Sequence, residues 1–132
     1  MLADRLAHYS CSLCYDDLPG AVVHEVKRRV LDSLGCAFGS WNAPPCKIAR
    51  EMAQSVKVPG GATIWGTSHK TLPDLATFAN GTMVRYLDFN DTWLAAEWGH
   101  PSDNMGGILA AADWLSRTAV AASASVPTNS AV

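Results

Sequence analysis

The sequence predicts an all-α fold, and three observations lead to this prediction. Apolar residues recur at three- and four-residue steps along four long segments, which is the period of a helix with one buried side. Strand patterns are nearly absent, and only the short segment 62–65, bounded by glycines, is typical of extended backbone. The chain has 132 residues, of which 48% are hydrophobic, so it can bury the core of one ordinary domain. With helices dominant, the all-α class follows.

Three helices are predicted in the first half of the chain, over residues 2–14, from Pro19 to Gly39 and from Pro45 to about Val56. Proline at the start of the second and third suits the first turn of a helix, where a backbone N–H is not needed. Each helix carries one apolar stripe, which we expect to face the core. The stripe residues are Leu2, Leu6, Tyr9, Leu13, Val22, Val23, Val26, Val30, Leu31, Leu34, Phe38, Ile48, Ala49, Met52 and Ala53.

Two further helices are predicted, from about Leu72 to Leu87 and from Asp103 to about Arg117. We assign residues 1–117 to one helical domain. Residues 118–132 hold no charged or aromatic side chain, and we expect this low-complexity tail to be disordered. The fourth helix has the clearest apolar stripe of the chain, formed by Leu72, Leu75, Ala76, Ala79, Met83, Val84 and Leu87.

The loop between the fourth and fifth helices, residues 86–104, is the candidate functional segment. It mixes acids, hydroxyls and a histidine with bulky aromatic residues, and such a loop usually folds back and walls a site. Asp88 comes four residues after Val84, so it is predicted to face the core. Asp91 and Thr92 share that face if helical geometry persists.

His100 stands immediately before the predicted start of the fifth helix. Ser102 is a good N-cap for that helix, and the free N–H groups at a helix start favour a bound anion. Histidine has an ordinary pKa of about 6.5, so it can act as a proton-transfer group near neutral pH. Asp88 and His100 are therefore predicted to converge on one cavity as half of a catalytic site for an anionic substrate. The simpler alternatives are that Asp88 pairs with Arg85 and that His100 only bridges the loop.

Composition and charge exclude several other classes of protein. The net charge of −2 argues against nucleic acid binding, and no apolar run approaches the roughly 20 residues of a membrane span. The first residues lack a secretory signal, so we expect a cytoplasmic protein. The four cysteines do not form two closely spaced pairs, and we therefore predict reduced thiols and no metal or iron–sulfur site. They are Cys11, Cys14, Cys36 and Cys46.

Five segments of the sequence resemble the MmgE/PrpD family and stand in that family's order. They are Leu31-Asp-Ser-Leu-Gly-Cys36, Ala62-Thr-Ile-Trp-Gly-Thr67, Ala79-Asn-Gly-Thr82, Leu87-Asp-Phe-Asn-Asp-Thr92 and His100-Pro-Ser-Asp-Asn104. The resemblance covers roughly residues 2–117 and implies the N-terminal part of the helical domain of a two-domain enzyme. It implies Asp88 and His100 as catalytic residues and Thr92 and Asp91 as substrate-binding residues.

The resemblance also implies the reaction. Asn90 and the long gap before His100 are closest to the 2-methylcitrate dehydratase branch, whose hydro-lyases act in the methylcitrate cycle of propionate catabolism. The implied substrate is a tricarboxylate, the implied cofactor is none, and the full-length enzyme is expected to be a homodimer. Two alternatives stay open: a cis-aconitate decarboxylase or epimerase of the same family, and a non-catalytic helical fragment that self-associates.

Overall fold

The computed structural model describes the backbone of residues 1–124 and the side chains of residues 1–118. Within that part the chain is mostly helical, which confirms the predicted all-α class. Its α-helices are α1 (Leu2–Ser12), α2 (Gly20–Gly39), α3 (Pro44–Gln54), α4 (Pro73–Arg85) and α5 (Met105–Ala124). The antiparallel strand pairs are short: β1 (Ala62–Thr63) with β2 (Lys70–Thr71), and β3 (Trp93–Leu94) with β4 (Trp98–Gly99).

Helix α4 is the centre of the fold, because α2, α3 and α5 all pack against it. Its predicted stripe is confirmed at Ala76, Ala79, Met83 and Val84, which are fully buried. The α4–α5 contact is close because both helices present glycine there. A Cβ atom added at Gly106 would lie 2.9 Å from a backbone nitrogen of α4, so only glycine fits without a shift.

The predicted stripe of α1 does not face the core, and those of α2 and α3 do so only in part. In α2 the buried residues are Ser33, Cys36 and Ala37, whereas four members of the predicted stripe are exposed: Val22, Val26, Leu31 and Phe38. Helix α1 has no buried residue, because it packs against no other part of the described chain strongly enough to cover its stripe. In α3, Ile48 and Met52 are exposed, although Ala49 and Ala53 are buried as predicted. The helix turns its smaller side toward α4, and the buried positions 46, 49, 50 and 53 keep the helical period.

Arg50 is the unexpected member of the buried side of α3. Its guanidinium lies 3.7 Å above the centre of the Trp41 ring, and Nη1 donates to the Met83 sulfur at 3.5 Å. Stacking on an indole lets an arginine be buried without a carboxylate partner, because the ring face attracts the cation. Arg50 is therefore a charged residue that the fold places in the core.

Helix α5 is longer than predicted. A 3₁₀ turn over Pro101–Asn104 precedes it, and the helix runs from Met105 past the predicted end at Arg117 to Ala124. Alanine is the best helix former, and no proline or glycine interrupts residues 118–124. The rest of the predicted tail, residues 125–132, lies outside the described residues. No helix in the described part of the chain is both long and apolar enough to cross a membrane.

Candidate active site

The loop of residues 86–104 leaves α4 at a sharp turn. Asp88 adopts a left-handed backbone conformation with φ of 55°, and its N–H donates to the carbonyl of Arg85 at 3.1 Å. Aspartate is one of the few residues other than glycine that tolerate this conformation. The turn ends helical geometry, and the chain then forms the β3–β4 hairpin, whose Trp93 and Trp98 are exposed.

Because of this turn, the predicted direction of the Asp88 side chain is wrong. Its side chain is 70% exposed instead of facing the core, and it forms an ion pair with Arg85 one turn earlier. The hydrogen bond from Arg85 holds the pKa of Asp88 below its usual range. This is the pairing that the sequence left open as the simpler alternative. It also keeps the carboxylate ionised beside the histidine that follows.

His100 is fixed by a backbone carbonyl. Its Nδ1 lies 2.8 Å from the carbonyl oxygen of Asp91 and 3.3 Å from the Thr92 hydroxyl. A carbonyl oxygen can only accept, so Nδ1 carries the proton and Nε2 is the basic nitrogen of the neutral ring. Nε2 lies 3.9 Å from a carboxylate oxygen of Asp88, and the imidazole side chain is only 10% exposed. The structure therefore brings the two predicted catalytic side chains together, while their roles stay a prediction.

Asp91 does not share a face with Asp88. Its carboxylate side chain is 6% exposed and turns toward α2, where it lies 3.9 Å from Arg29 Nη1. The other carboxylate oxygen accepts the backbone N–H of Ser102 at 3.0 Å. The predicted common face depended on a continuing helix, and the turn at Asp88 removes that condition. Substrate binding by Asp91 stays a prediction, whereas the hydroxyl of Thr92 is exposed near His100.

At the start of the fifth helix, where the sequence predicts an anion site, a carboxylate of the protein itself is bound. Ser102 lies inside the 3₁₀ turn, and its N–H is bonded to the carboxylate of Asp91. The Ser102 hydroxyl accepts from the amide nitrogen of Asn90 at 2.9 Å and caps no helix. Ser102 therefore ties the loop together, and the place predicted for a substrate carboxylate is taken by a side chain of the protein.

Comparisons with known proteins identify the family of the chain. A family model described as the MmgE/PrpD N-terminal domain matches residues 4–129, nearly the whole chain. The chain belongs to the MmgE/PrpD family. The matched range continues beyond residue 117, where the sequence analysis places the end of the helical domain.

Several MmgE/PrpD relatives are named as dehydratases of citrate derivatives. The chain is 56% identical over 94 residues to 2-methylcitrate dehydratase of Salmonella typhimurium, covering 70% of this chain and 20% of that protein. It is 47% identical over 109 residues to 2-methylcitrate dehydratase of Cupriavidus necator, covering 82% and 22%. It is 38% identical over 118 residues to alkylcitrate dehydratase phiI of a fungal species, covering 88% and 23%. The chain thus spans about a fifth of the length of these relatives.

Sequence reasoning missed one residue that organises this MmgE/PrpD site. Asn90 is 4% exposed, and its amide nitrogen donates to the Ser102 hydroxyl at 2.9 Å and to a carboxylate oxygen of Asp103 at 3.0 Å. Its partners are twelve and thirteen residues away, so no local pattern reveals them. The available signal is chemical, because Asn90 is the one amide between two acidic residues of the loop.

Two larger grooves border the MmgE/PrpD site, besides one of about 260 Å³ that is lined by residues of α2 together with Asp91 and Ser102. One, of about 430 Å³, runs beside α4 on the Arg85 side and is lined by Gly81, Thr82, Arg85, Tyr86 and Asp103. The other, of about 540 Å³, lies between α2 and the loop and is lined by Arg28, Arg29, Leu31, Asp32, Phe89 and Asp91. Glu25 pairs with both arginines of α2, so the second groove is not a strongly cationic surface.

No metal centre is evident in the described part of the chain. Among those residues no group of three or more histidine, cysteine or acidic side chains is placed to hold a metal ion. The four cysteines are free thiols: Cys11 and Cys14 are exposed, and Cys36 and Cys46 are buried. Desolvation raises the pKa of the Cys36 thiol, and the nearby Asp32 raises it further, so this thiol stays protonated.

Proposed function

We propose that this chain supplies one side of the active site of a cofactor-independent hydro-lyase that dehydrates 2-methylcitrate to 2-methyl-aconitate, the step of the methylcitrate cycle in propionate catabolism. The names of the relatives support a citrate-derivative dehydratase, and 2-methylcitrate dehydratases are among them at 47% and 56% identity. The observation that carries the proposal is the imidazole of His100, with Nδ1 fixed by a carbonyl and Nε2 facing the ionised Asp88.

Dehydration of a 2-hydroxy tricarboxylate breaks a C–H bond beside a carboxylate and a C–O bond on the neighbouring carbon, forms a C=C bond between these two carbons and releases water. One group must take the proton and another must protonate the departing hydroxyl. His100 Nε2 has the free lone pair for proton transfer. When His100 is protonated, the resulting imidazolium faces the carboxylate of Asp88, which stabilises the new positive charge at short range.

The other two predicted residues take different parts in this proposal. The exposed hydroxyl of Thr92 lies beside the imidazole and is placed to donate to a substrate carboxylate. The carboxylate of Asp91 is committed to Ser102 and Arg29, so its part is to hold the loop and to present its carbonyl oxygen to His100. The remaining groups that bind the polyanion are expected from parts of the enzyme beyond the fifth that this chain spans.

A chimera tests the proposal. This chain replaces the matched segment of the Salmonella typhimurium 2-methylcitrate dehydratase, to which it is 56% identical, and turnover is measured on 2-methylcitrate and on cis-aconitate. We expect dehydration of 2-methylcitrate. His100→Ala is expected to lower kcat by about 10²–10⁴-fold, the usual contribution of a general acid–base group.

The matched control is His24→Ala, which removes an exposed histidine of α2 and is expected to leave turnover unchanged. Activity on cis-aconitate alone would overturn the proposed substrate. Normal turnover of the His100→Ala chimera would remove His100 from the reaction.

A further inference from the structure

The loop that carries His100 is held by side chains at two consecutive positions. The amide nitrogen of Asn90 reaches Ser102 and Asp103, and the carboxylate and carbonyl of Asp91 reach Ser102 and His100. Both ends of the loop, before β3 and after β4, are thereby joined across the exposed hairpin. His100 lies inside this set of contacts, so its ring position depends on them.

The direction of the Asn90 bonds is fixed by chemistry. A side-chain amide nitrogen has two protons, and here one goes to the Ser102 hydroxyl and the other to the Asp103 carboxylate. The carboxylate of Asp103 can only accept when ionised, and it also lies 3.7 Å from Arg85 Nε. Position 90 must therefore donate, which an amide does and an ionised carboxylate does not.

Aspartate would fit the same space as Asn90 and fail for two reasons. Its carboxylate would lie about 3.0 Å from that of Asp103, where two ionised groups repel, and protonating one of them would supply a single donor in place of the two of the amide. The buried Oδ1 of Asn90 has no donor among the described side chains, so a second charged oxygen there would also lack a partner. The site thus distinguishes two side chains of nearly equal shape.

We propose that Asn90 is a positioning residue that, through its amide bonds to Ser102 and Asp103, holds the loop in the geometry that keeps His100 Nδ1 on the Asp91 carbonyl. The pair of Asn90 and Asp103 works as one donor and one acceptor. Exchanging the two residues restores a bond with the opposite direction. The inference rests on the proposed function only in assigning a catalytic purpose to His100, and the geometry is testable without turnover.

The test uses the whole 132-residue chain with labelled histidine and backbone nitrogen. Nitrogen shifts of the His100 ring report which nitrogen carries the proton, and hydrogen exchange of the Ser102 amide reports the closure of the loop. Asn90→Asp is expected to lose the Nδ1–H signature and to speed exchange at Ser102 by about tenfold, the effect of losing one to two hydrogen bonds. The double variant Asn90→Asp with Asp103→Asn is expected to restore both readouts.

Asn104→Asp is the matched control, because it adds the same charge at an exposed side chain of the 3₁₀ turn that Asn90 contacts. It is expected to change neither readout. An Asn90→Asp chain that behaves like the parent overturns the inference, and so does a double variant that behaves like Asn90→Asp. If Asn90→Asp does not fold, the double variant decides: a folded chain with the parental ring signature supports the pair, and an unfolded one overturns it.

The same substitutions in the chimera separate this inference from the proposed function. A disturbed His100 ring in Asn90→Asp together with a fall in kcat that the double variant reverses supports both. A disturbed ring with unchanged kcat overturns the catalytic part of His100 and leaves the positioning role of Asn90 standing.

Discussion

At the scale of single residues, what a side chain of the candidate site can bind depends on which of its atoms already form hydrogen bonds or ion pairs within the protein. Asp91 uses its carboxylate inside the protein and Asp88 presents its carboxylate outward, so the two acids differ in environment and partners despite lying three residues apart. His100 obtains its proton arrangement from a backbone oxygen. From residue type alone, both aspartates and the histidine would have been assigned to the reaction.

The ion pair of Asp88 with Arg85 gives a prediction about titration. The hydrogen bond from Arg85 depresses the pKa of Asp88, so the favourable interaction is present above the ordinary pKa of the carboxyl and is lost as the pH falls through the lowered value. In Arg85→Gln we expect the Asp88 carboxyl, followed by NMR, to titrate at higher pH. Arg28→Gln, which removes an arginine paired with Glu25, should leave this titration unchanged. A titration of Asp88 that stays in place in Arg85→Gln would contradict the assignment.

At the scale of elements, α5 is attached to the rest of the fold at two points. Near its start, glycine allows α4 to approach. One turn before Arg117, Asp113 binds the backbone and hydroxyl of Thr63 in β1 and lies 3.7 Å from Lys70 in β2. The helix that follows the candidate loop of residues 86–104 is thus fixed against both α4 and the β1–β2 pair. This attachment gives the loop a rigid end.

The glycine contact predicts opposite effects for neighbouring substitutions. Gly106→Ala would place its Cβ 2.9 Å from the Gly81 nitrogen, so we expect a loss of about 1–3 kcal/mol in the free energy of unfolding, the usual cost of overpacking. Gly107→Ala would meet Thr77 at an ordinary 3.5 Å, and the better helix propensity of alanine should stabilise the chain by up to about 1 kcal/mol. Denaturant unfolding measures both, and equal effects of the two variants would contradict the close approach.

Asp113 predicts the acid response of this attachment. Desolvation raises the pKa of Asp113, but hydrogen bonds from Thr63 and Arg117 outweigh it and lower the pKa to about 2. The stabilisation that the ionised Asp113 gives the folded state is therefore complete above the carboxyl's pKa in the unfolded chain, about 3.9. It disappears as the pH falls toward about 2. Asp113→Asn should cost about 2 kcal/mol of unfolding free energy at neutral pH and flatten its acid dependence. The control Asp16→Asn, at an exposed turn, should keep the parental pH profile.

The sequence predicted helices better than the faces they bury. The stripe of α4 is right along the middle of the helix, from Ala76 to Val84, because α2, α3 and α5 all pack there, whereas Leu72 at its start is exposed. The sequence of α1 has an apolar stripe of helical period, but the period does not tell which other surface packs against that stripe. In α3 the small residues Cys46, Ala49 and Ala53 decided the buried side over the larger Ile48 and Met52, because α4 approaches closely there.

The geometry of the candidate site could be predicted only in part. The mixture of acids, histidine and aromatics marked this loop as the candidate, and Asp88 and His100 do lie together in it. The direction of Asp88 was wrong because a single left-handed residue ended the helical phase. Asn90 was missed because its hydrogen bonds join positions twelve and thirteen residues apart.

At the scale of the whole molecule, the described chain leaves much apolar surface exposed. Helix α1 exposes Leu2, Leu6 and Tyr9, and the β3–β4 hairpin exposes Trp93, Leu94 and Trp98. Large contiguous apolar patches on a protein surface mark places where another surface packs. These two regions are the obvious faces for such contacts, one at the start of the chain and one beside the candidate site.

The stripe of α1 predicts the behaviour of this chain in isolation. We expect the purified chain to self-associate, and the double substitution Leu6→Lys with Tyr9→Lys to shift it toward monomer in sedimentation analysis, because the exposed stripe is then charged. The unfolding free energy should change by no more than about 0.5 kcal/mol, since neither side chain is buried. Ala7→Lys, on the same helix, is the control and should leave the association unchanged. A large loss of stability in the double variant would show that α1 packs against the rest of the chain.

Because the His100 ring bonds to the main chain, few mutations can remove its hydrogen-bond acceptor. A peptide oxygen is present whatever amino acid a gene encodes at position 91, so no missense change there deletes the acceptor directly. Descendants of this sequence can therefore lose this hydrogen bond only indirectly, by a change that moves the loop and carries the carbonyl away from the ring.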